Sequence, residues 1–290
     1  RSRAPEWGVE AMGASHVISL YADDALIYIR DPSATLPALM TLLETFGHIS
    51  GLRVNWPKSC IFPLKHTRPV DRIRPPLGEL RWEYETFKYL GVQVYHAESD
   101  LVDGNIQRAM RSMRGSLKFW LALPLSPMGR VSLCKMLLLP RLLYFFSALP
   151  IVLPKGIFRD MHRILGELIW GNNRHRVGLA RLHSPITEGG MGVPNLELYY
   201  AAAQLQWPTQ WLAVPPSPET AHIHHTAQPT RKNVYTWLAS SGRELARESC
   251  LLRTASKIWH RYVIGKTTQH PYSPLLPLAF IPRISGAMQT

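Results

Sequence analysis

The chain has 290 residues, 46% of them hydrophobic and 18% charged, a globular composition with length for one large domain or two ordinary ones. Its formal net charge of +13 makes a polyanionic partner the first to consider. No uninterrupted apolar run approaches the roughly 20 residues of a membrane-spanning helix, and Cys60, Cys134 and Cys250 match neither a zinc spacing nor a disulfide framework, so a reducing, intracellular setting is expected. The opening Arg-Ser-Arg-Ala-Pro-Glu-Trp-Gly has no Met and no apolar signal core, and reads as a chain begun in mid-protein.

The charge is unevenly spread. Residues 1–100 hold 11 Lys/Arg against 12 Asp/Glu, residues 101–190 hold 13 against 4, and residues 191–290 hold 9 against 4. A near-neutral front therefore precedes a basic back. Arginines carried on amphipathic helices suit contact with a phosphate backbone; a solvated, arginine-rich surface is the plain alternative.

The first clear element is His16-Val-Ile-Ser-Leu-Tyr-Ala-Asp-Asp-Ala-Leu-Ile-Tyr-Ile29. Two β-branched and aromatic runs flank an acidic pair that tolerates turn conformations, which predicts a β-hairpin with two carboxylates at its tip. Arg30-Asp31-Pro32-Ser33 breaks the strand, and a helix is expected from near Thr35, with Pro37 in its first turn. Leu39, Leu42, Leu43, Phe46 and Ile49 recur at helical spacing before Gly51. Leu52 to Asn55 and Ser59 to Leu64 read as short strands, and residues 65–80 as a Pro- and Arg-rich loop. Thr86 to Tyr95 alternates like a strand, with Gly91 suggesting a bulge or a close backbone approach.

Beyond residue 100 the pattern is helical. Ile106, Met110, Met113, Leu117, Trp120 and Leu121 form one stripe, with Arg108, Arg111 and Arg114 off it. Ser126-Pro127 is a good helix start, and Pro140 should kink or stop the helix that begins there. Further helices are expected from Lys155 to Trp170 and from Leu196 to about Leu212, joined by a loop over 171–194. Residues 215–229 read as a polar, proline-bearing linker, and 231–263 as room for two more helices. No internal repeat is evident. His222-Ile-His-His225 lies in the linker without a nearby cysteine and is a poor metal motif.

Asp23-Asp24 is the sharpest chemical signal. Adjacent carboxylates at a hairpin tip repel each other, and a divalent cation removes that conflict; oxygen-only ligands select Mg²⁺ or Mn²⁺. A bare acidic pair is more often a solvated turn. Here Leu20-Tyr-Ala-Asp-Asp-Ala25, then Phe46-Gly-His-Ile-Ser-Gly-Leu-Arg-Val-Asn-Trp-Pro-Lys-Ser59, then Phe87-Lys-Tyr-Leu-Gly-Val-Gln-Val94 stand in longer company. In order and spacing they resemble three successive palm motifs of reverse transcriptases, in the versions found in LINE-type non-LTR retrotransposons. Leu125-Ser-Pro-Met-Gly-Arg130, Leu139-Pro-Arg-Leu-Leu-Tyr144, Leu168-Ile-Trp-Gly171 and Gly189-Gly-Met-Gly-Val-Pro-Asn195 with Tyr199-Tyr200 look like the region after the palm in that group. The resemblance covers about residues 15–212.

That resemblance implies an α+β fold: a partial palm of antiparallel strands with a helix over 1–100, carrying the acidic hairpin and a primer-grip-like strand. An all-α, basic, thumb-like region over 101–213 comes next, then a linker and helical tail over 214–290. It implies an RNA-directed DNA polymerase fragment of a retrotransposon, a nucleotidyltransferase adding deoxynucleotides to a primer 3′-hydroxyl with Mg²⁺ or Mn²⁺. Its partners would be an RNA template, a DNA primer and deoxynucleoside triphosphates, in nucleus and cytoplasm, with no membrane. Asp23 would hold metal and Asp24 stand beside it; Lys58 would lie near the triphosphate. Tyr21 and Ala22 would border the primer end, and Phe87, Tyr89, Leu90 and Gly91 would belong to the hairpin that grips the primer. Arg108, Arg111, Arg114 and Arg130 would contact nucleic-acid backbone. The family also places an essential aspartate upstream, where this sequence offers only Glu6 and Glu10 in no matching pattern. The expectation is therefore that this chain alone does not polymerise DNA. Alternatives are a non-catalytic remnant that binds nucleic acid through its basic helices, and a helical scaffold whose arginines serve solubility.

Overall fold

A computed structural model describes residues 7–11, 14–64, 80–171, 177–211 and 250–264. The chain divides into two compact units, Arg1–Ala97 and Glu98–Thr290. The first is mixed α+β and the described part of the second is all helical, a generic palm-and-thumb pattern. The expected linker, the His222–His225 run and the first of the two late helices lie outside the described residues.

The first unit is made of two-stranded ribbons. Strands β1 (Val9–Ala11) and β2 (Ala14–His16) pair antiparallel, as do β3 (Ile18–Tyr21) and β4 (Asp24–Ile27). Helix α1 (Pro32–Ser50) starts three residues before the expected Thr35. Its cap explains the difference: the Asp31 carboxylate accepts from the Ser33 and Ala34 amides, and Pro32 sits where its missing N–H costs nothing. Gly51 closes the helix in the left-handed conformation.

Residues 52–55 are not the expected strand. Asn55 instead caps a 3₁₀ turn, Trp56–Lys58, with Pro57 in its first positions. Strand β5 (Cys60–Ile61) pairs in parallel with β6 (Arg81–Trp82). The alternating run 86–95 is two strands, β7 (Thr86–Tyr89) and β8 (Val92–Tyr95), joined at Leu90-Gly91. Both loop residues have positive φ, 45° and 82°, the sign pattern of a type I′ hairpin turn; Gly91 is a turn residue and not a mid-strand bulge. Phe62 packs between Phe87 and His96, with ring centroids 4.7 and 4.4 Å away, and so ties this hairpin to the β5 segment.

The second unit opens with a continuous helical stretch: α2 (Glu98–Leu101), a π-type segment (Val102–Gln107) and α3 (Arg108–Leu121). Helix α4 (Pro127–Leu133) is capped by Ser126, whose hydroxyl accepts from the Gly129 amide. Pro140 does not stop the helical stretch that α4 begins. A π-type turn over Cys134–Leu138 precedes α5 (Leu139–Ala148), placing Pro140 at the start of a new helical segment. The widened turn redirects the carbonyls that a mid-helix proline would strike.

Pro127–Ala148 is thus one 22-residue helix containing an 18-residue stretch of mean hydropathy 1.4, the one helix among the described residues long and apolar enough to cross a membrane. Counting uninterrupted apolar residues missed it, because Lys135 and Arg141 break the run. Its Val131, Cys134, Leu138, Leu142 and Phe146 recur at helical spacing and are buried.

Helix α6 (Lys155–Trp170) supplies the centre of this core through Ile157, Phe158, Met161, Ile164, Leu165, Leu168 and Ile169. The expected loop 171–194 contains a short helix, α7 (Leu179–His183), and a 3₁₀ turn, Ile186–Glu188. Gly190 has no room for a side chain, since a Cβ there would stand 2.0 Å from the Ser184 carbonyl oxygen. Helix α8 (Leu196–Trp211) carries Pro208 inside its last turn, and α9 (Cys250–Trp259) packs against α8.

Candidate functional site

Two hairpin tips carry most of the residues singled out in the first unit. In β3–β4, Tyr21 pairs with Asp24, leaving Ala22 and Asp23 as a two-residue loop. Ala22 has φ of 52°, positive at the first loop position as in a type II′ turn, whose twist suits the flanking strands. In β7–β8, Tyr89 pairs with Val92 and Leu90 has φ of 45°. Ala22 and Leu90 are the two non-glycine residues with positive φ among the described residues. Each holds a conformation that costs an L-residue about 1–2 kcal/mol. The Tyr89 phenol lies within electrostatic range of the first tip. Its pKa is raised, first by partial desolvation, then by the neighbouring Tyr28 and Asp24.

Asp23 and Asp24 are both exposed, and so are Tyr21, at 64%, and Leu20, at 70%. Accessibility of this kind suits a cation that keeps waters or phosphate oxygens in most of its coordination positions, as Mg²⁺ does. Among the described residues no three His, Cys, Asp or Glu side chains converge on a metal position. The pair therefore fits such an ion as part of a ligand set.

Phe87 is half-buried against Phe62. Lys58 is exposed at the end of its 3₁₀ turn, its amide bonded to Asn55, and no described interaction joins it to the acidic hairpin. Tyr28, not among the residues singled out from the sequence, adds to the rise in the Tyr89 pKa and meets Ser19 at 3.4 Å. Its position opposite Val17 at the foot of the hairpin was a weak signal, because an aromatic there reads as ordinary strand packing.

The second unit supplies a basic face. Helix α3 contains no Asp or Glu, and its Arg108, Arg111, Arg114 and Lys118 are all exposed, without ion-pair partners among the described residues. The buried side is Met110, Met113, Leu117 and Trp120. Arg108 to Lys118 spans about 15 Å of helix axis at 1.5 Å per residue. Lys118 extends the arginine stripe by one turn beyond Arg114, a spacing visible in the sequence. Phe119 stands beside it, 70% exposed.

Arg130 is placed differently. It is half-buried, and its Nη1 donates to the Leu168 carbonyl at 3.3 Å, at the C-terminal end of α6. A cation there satisfies a terminal carbonyl and complements the helix dipole.

No family model matches the chain. It is similar to the transposon TX1 uncharacterized 149 kDa protein of Xenopus laevis, 29% identical over 205 residues that cover 70% of this chain and 15% of that protein. It is also similar to the retrovirus-related Pol polyprotein from type-1 retrotransposable element R2 of Nasonia vitripennis, 26% identical over 211 residues, 67% of this chain and 19% of that protein. The chain spans less than a fifth of either relative. These matches support a distant link to retrotransposon Pol-like proteins, at the level of the reverse-transcriptase-like superfamily.

Proposed function

We propose that this chain binds nucleic acid through the backbone phosphates, with the acid-free face of α3 as its main contact. The observation that carries this reading is the exposed row Arg108, Arg111, Arg114 and Lys118, with no carboxylate on its helix. Unpaired cations on a rigid helix exchange counterions for phosphates at little ordering cost, and such contacts are indifferent to sequence. The distant link to Pol-like proteins points the same way, toward an RNA–DNA or DNA duplex as ligand.

The test is a salt titration of binding to an RNA–DNA primer–template duplex. Changing Arg108, Arg111 and Arg114 together to Ala should flatten the log–log salt dependence by about 2.7, near 0.9 per lost phosphate contact. An unchanged slope would remove α3 from the interface.

A second reading is favoured by the exposed acidic pair at its two-residue turn, with the Tyr89 hairpin within electrostatic range: RNA-directed nucleotidyl transfer. In it Asp23 and Asp24 hold Mg²⁺ or Mn²⁺, which supplies charge neutralisation at the transferring phosphoryl group. Tyr21, Ala22, Tyr89, Leu90 and Gly91 would border the primer end, and Lys58 the triphosphate. The acidic pair provides only part of a two-metal ligand set, so this reading requires a further carboxylate. Primer extension with Mg²⁺, alone and with an upstream polymerase half added in trans, tests it. Extension abolished by Asp23→Asn supports transfer; no extension with the complement present leaves binding alone.

A further inference from the structure

Carboxylates gather at one end of the helical stretch that bears the basic row. Glu98, Asp100 and Asp103 stand within its first six residues, before Arg108 begins the cationic face. Beside them lies a groove of about 510 Å³, floored by Val102, Ile151, Val152 and Ile157 and rimmed by Glu98 and Asp103. That volume falls within the range of sites that hold compact ligands. Val152 is 36% exposed, so the floor is open to a visitor.

The charge of the rim selects that visitor. A phosphate backbone brought to this end of the helix meets carboxylates, so the groove is closed to the ligand proposed for α3. A cation is welcome, and the structure already shows one: the Arg253 guanidinium of α9 donates to the Glu98 carboxylate at the rim. Asp103 is exposed and has no ion-pair partner among the described residues. We infer that this groove docks a short cationic and apolar peptide segment of a partner protein, with an aliphatic side chain on the Val102–Val152 floor and a Lys or Arg against Asp103. A single helical stretch then serves two partners of opposite charge, a protein segment at its start and a polyanion further along.

The experiment measures fluorescence anisotropy of a labelled decapeptide with two central leucines flanked by arginines, titrated with the full chain. A counterpart with glutamates for arginines is the control. The arginine peptide should bind, more weakly as salt rises, and the glutamate peptide should not. Asp103→Lys should weaken binding about fivefold, as for removal of a rim ion pair. Val152→Arg, which fills the floor and adds a cation, should weaken it about tenfold or more. Both positions are exposed, so helix content by circular dichroism should not change, and duplex binding should hold or strengthen. Equal affinity for both peptides, equal binding by both variants and the parent chain, or no binding at all would overturn the inference. A chain that binds the arginine peptide but no duplex would remove the reading of α3 and leave this one standing.

Discussion

The two units are built by different means. Among the described residues of the first, only Leu36, Leu39, Met40 and Val92 are buried apolar side chains, and every other one lies in the second. The first unit leaves Ile18, Leu42, Phe46 and Ile49 more than half exposed, and holds its shape through local devices: two two-residue turns, the Asp31 cap and the Phe62 clasp. In the second, long-range burial dominates, and helices α5, α6, α8 and α9 contribute to one core. The acidic pair sits on the locally specified unit, where a tip can be strained and exposed without emptying a core. The exposed cations of α3, proposed to meet phosphates, sit on the packed unit, where a rigid helix fixes their spacing.

The largest effect that could break this contrast comes from core truncation. Leu168 has no exposed surface, and Leu168→Ala should cost about 2–5 kcal/mol through lost transfer energy and the cavity left behind. Ile18→Ala, at a side chain 51% exposed, should stay within about 0.5 kcal/mol. Urea unfolding tracked by circular dichroism compares them. Similar costs at both positions would mean that Ile18 is covered in solution and that the contrast is false.

Next in size is a polar element of the same core. Gln204 is buried on α8, and its amide donates to the Phe146 and Leu149 carbonyls, the second at 2.8 Å. Tyr200 Oη donates to the Ile151 carbonyl at 2.6 Å and accepts from the Leu153 amide, and burial drives its pKa up to about 12. Together they satisfy the backbone between α5 and α6 where no helix does. Gln204→Leu keeps approximate volume but strands the Phe146 carbonyl and leaves that of Leu149 to the Ile151 amide alone, and should cost about 1–3 kcal/mol. A neutral result by the same urea assay would show that water reaches these carbonyls.

Much of this architecture was legible in the sequence, and the failures share a cause. The acidic hairpin, the Ser126 cap, the α3 stripe and the Lys155–Trp170 helix each arise from adjacent residues that state their own conformation. The hairpin over 86–95 read as a single strand because Leu90 is a poor residue for positive φ, and only Gly91 signalled a turn. Pro140 read as a kink or a stop, and the stop failed because a π-type turn has no signature of its own. The site was legible as motifs, since Asp23 and Asp24 announce themselves. The electrostatic influence of Asp24 on Tyr89 was not, because it acts between segments more than 60 residues apart in the chain. Arg130 looked like one more cation until its contact with Leu168 placed it at a helix end.

A smaller and opposite effect should come from relieving a tip. Leu90→Gly removes the Cβ that makes φ of 45° costly, and should stabilise the β7–β8 hairpin by about 1 kcal/mol, less the entropy that glycine adds to the unfolded chain. Amide hydrogen exchange at Val92 and Val94, whose amides face the partner strand, would report slower opening. If exchange quickens instead, the leucine side chain holds the tip by a contact that outweighs its strain, and the first unit is more than locally specified.

The smallest effect concerns pH, and it stems from packing: a dense core desolvates whatever titrates inside it. His162 on α6 is half-buried, its Nε2 has no hydrogen-bond partner among the described residues, and its ring centroid lies 5.5 Å from that of His183. Its pKa is lowered, first by desolvation and then by His183; Glu197 and the Phe158 carbonyl oppose this. In the unfolded chain it returns to the ordinary value near 6.5. As pH falls through about 6.5 the unfolded state takes up a proton that the folded state resists, so stability is full above that pH and declines below it until the folded pKa is reached. The loss between about pH 7.5 and 5.5 should be smaller in His162→Phe, which cannot titrate, than in the parent chain, because every other group contributes alike to both. Parallel profiles of urea midpoint against pH would show that His162 is hydrated, and that the core around α6 is looser than its burial implies.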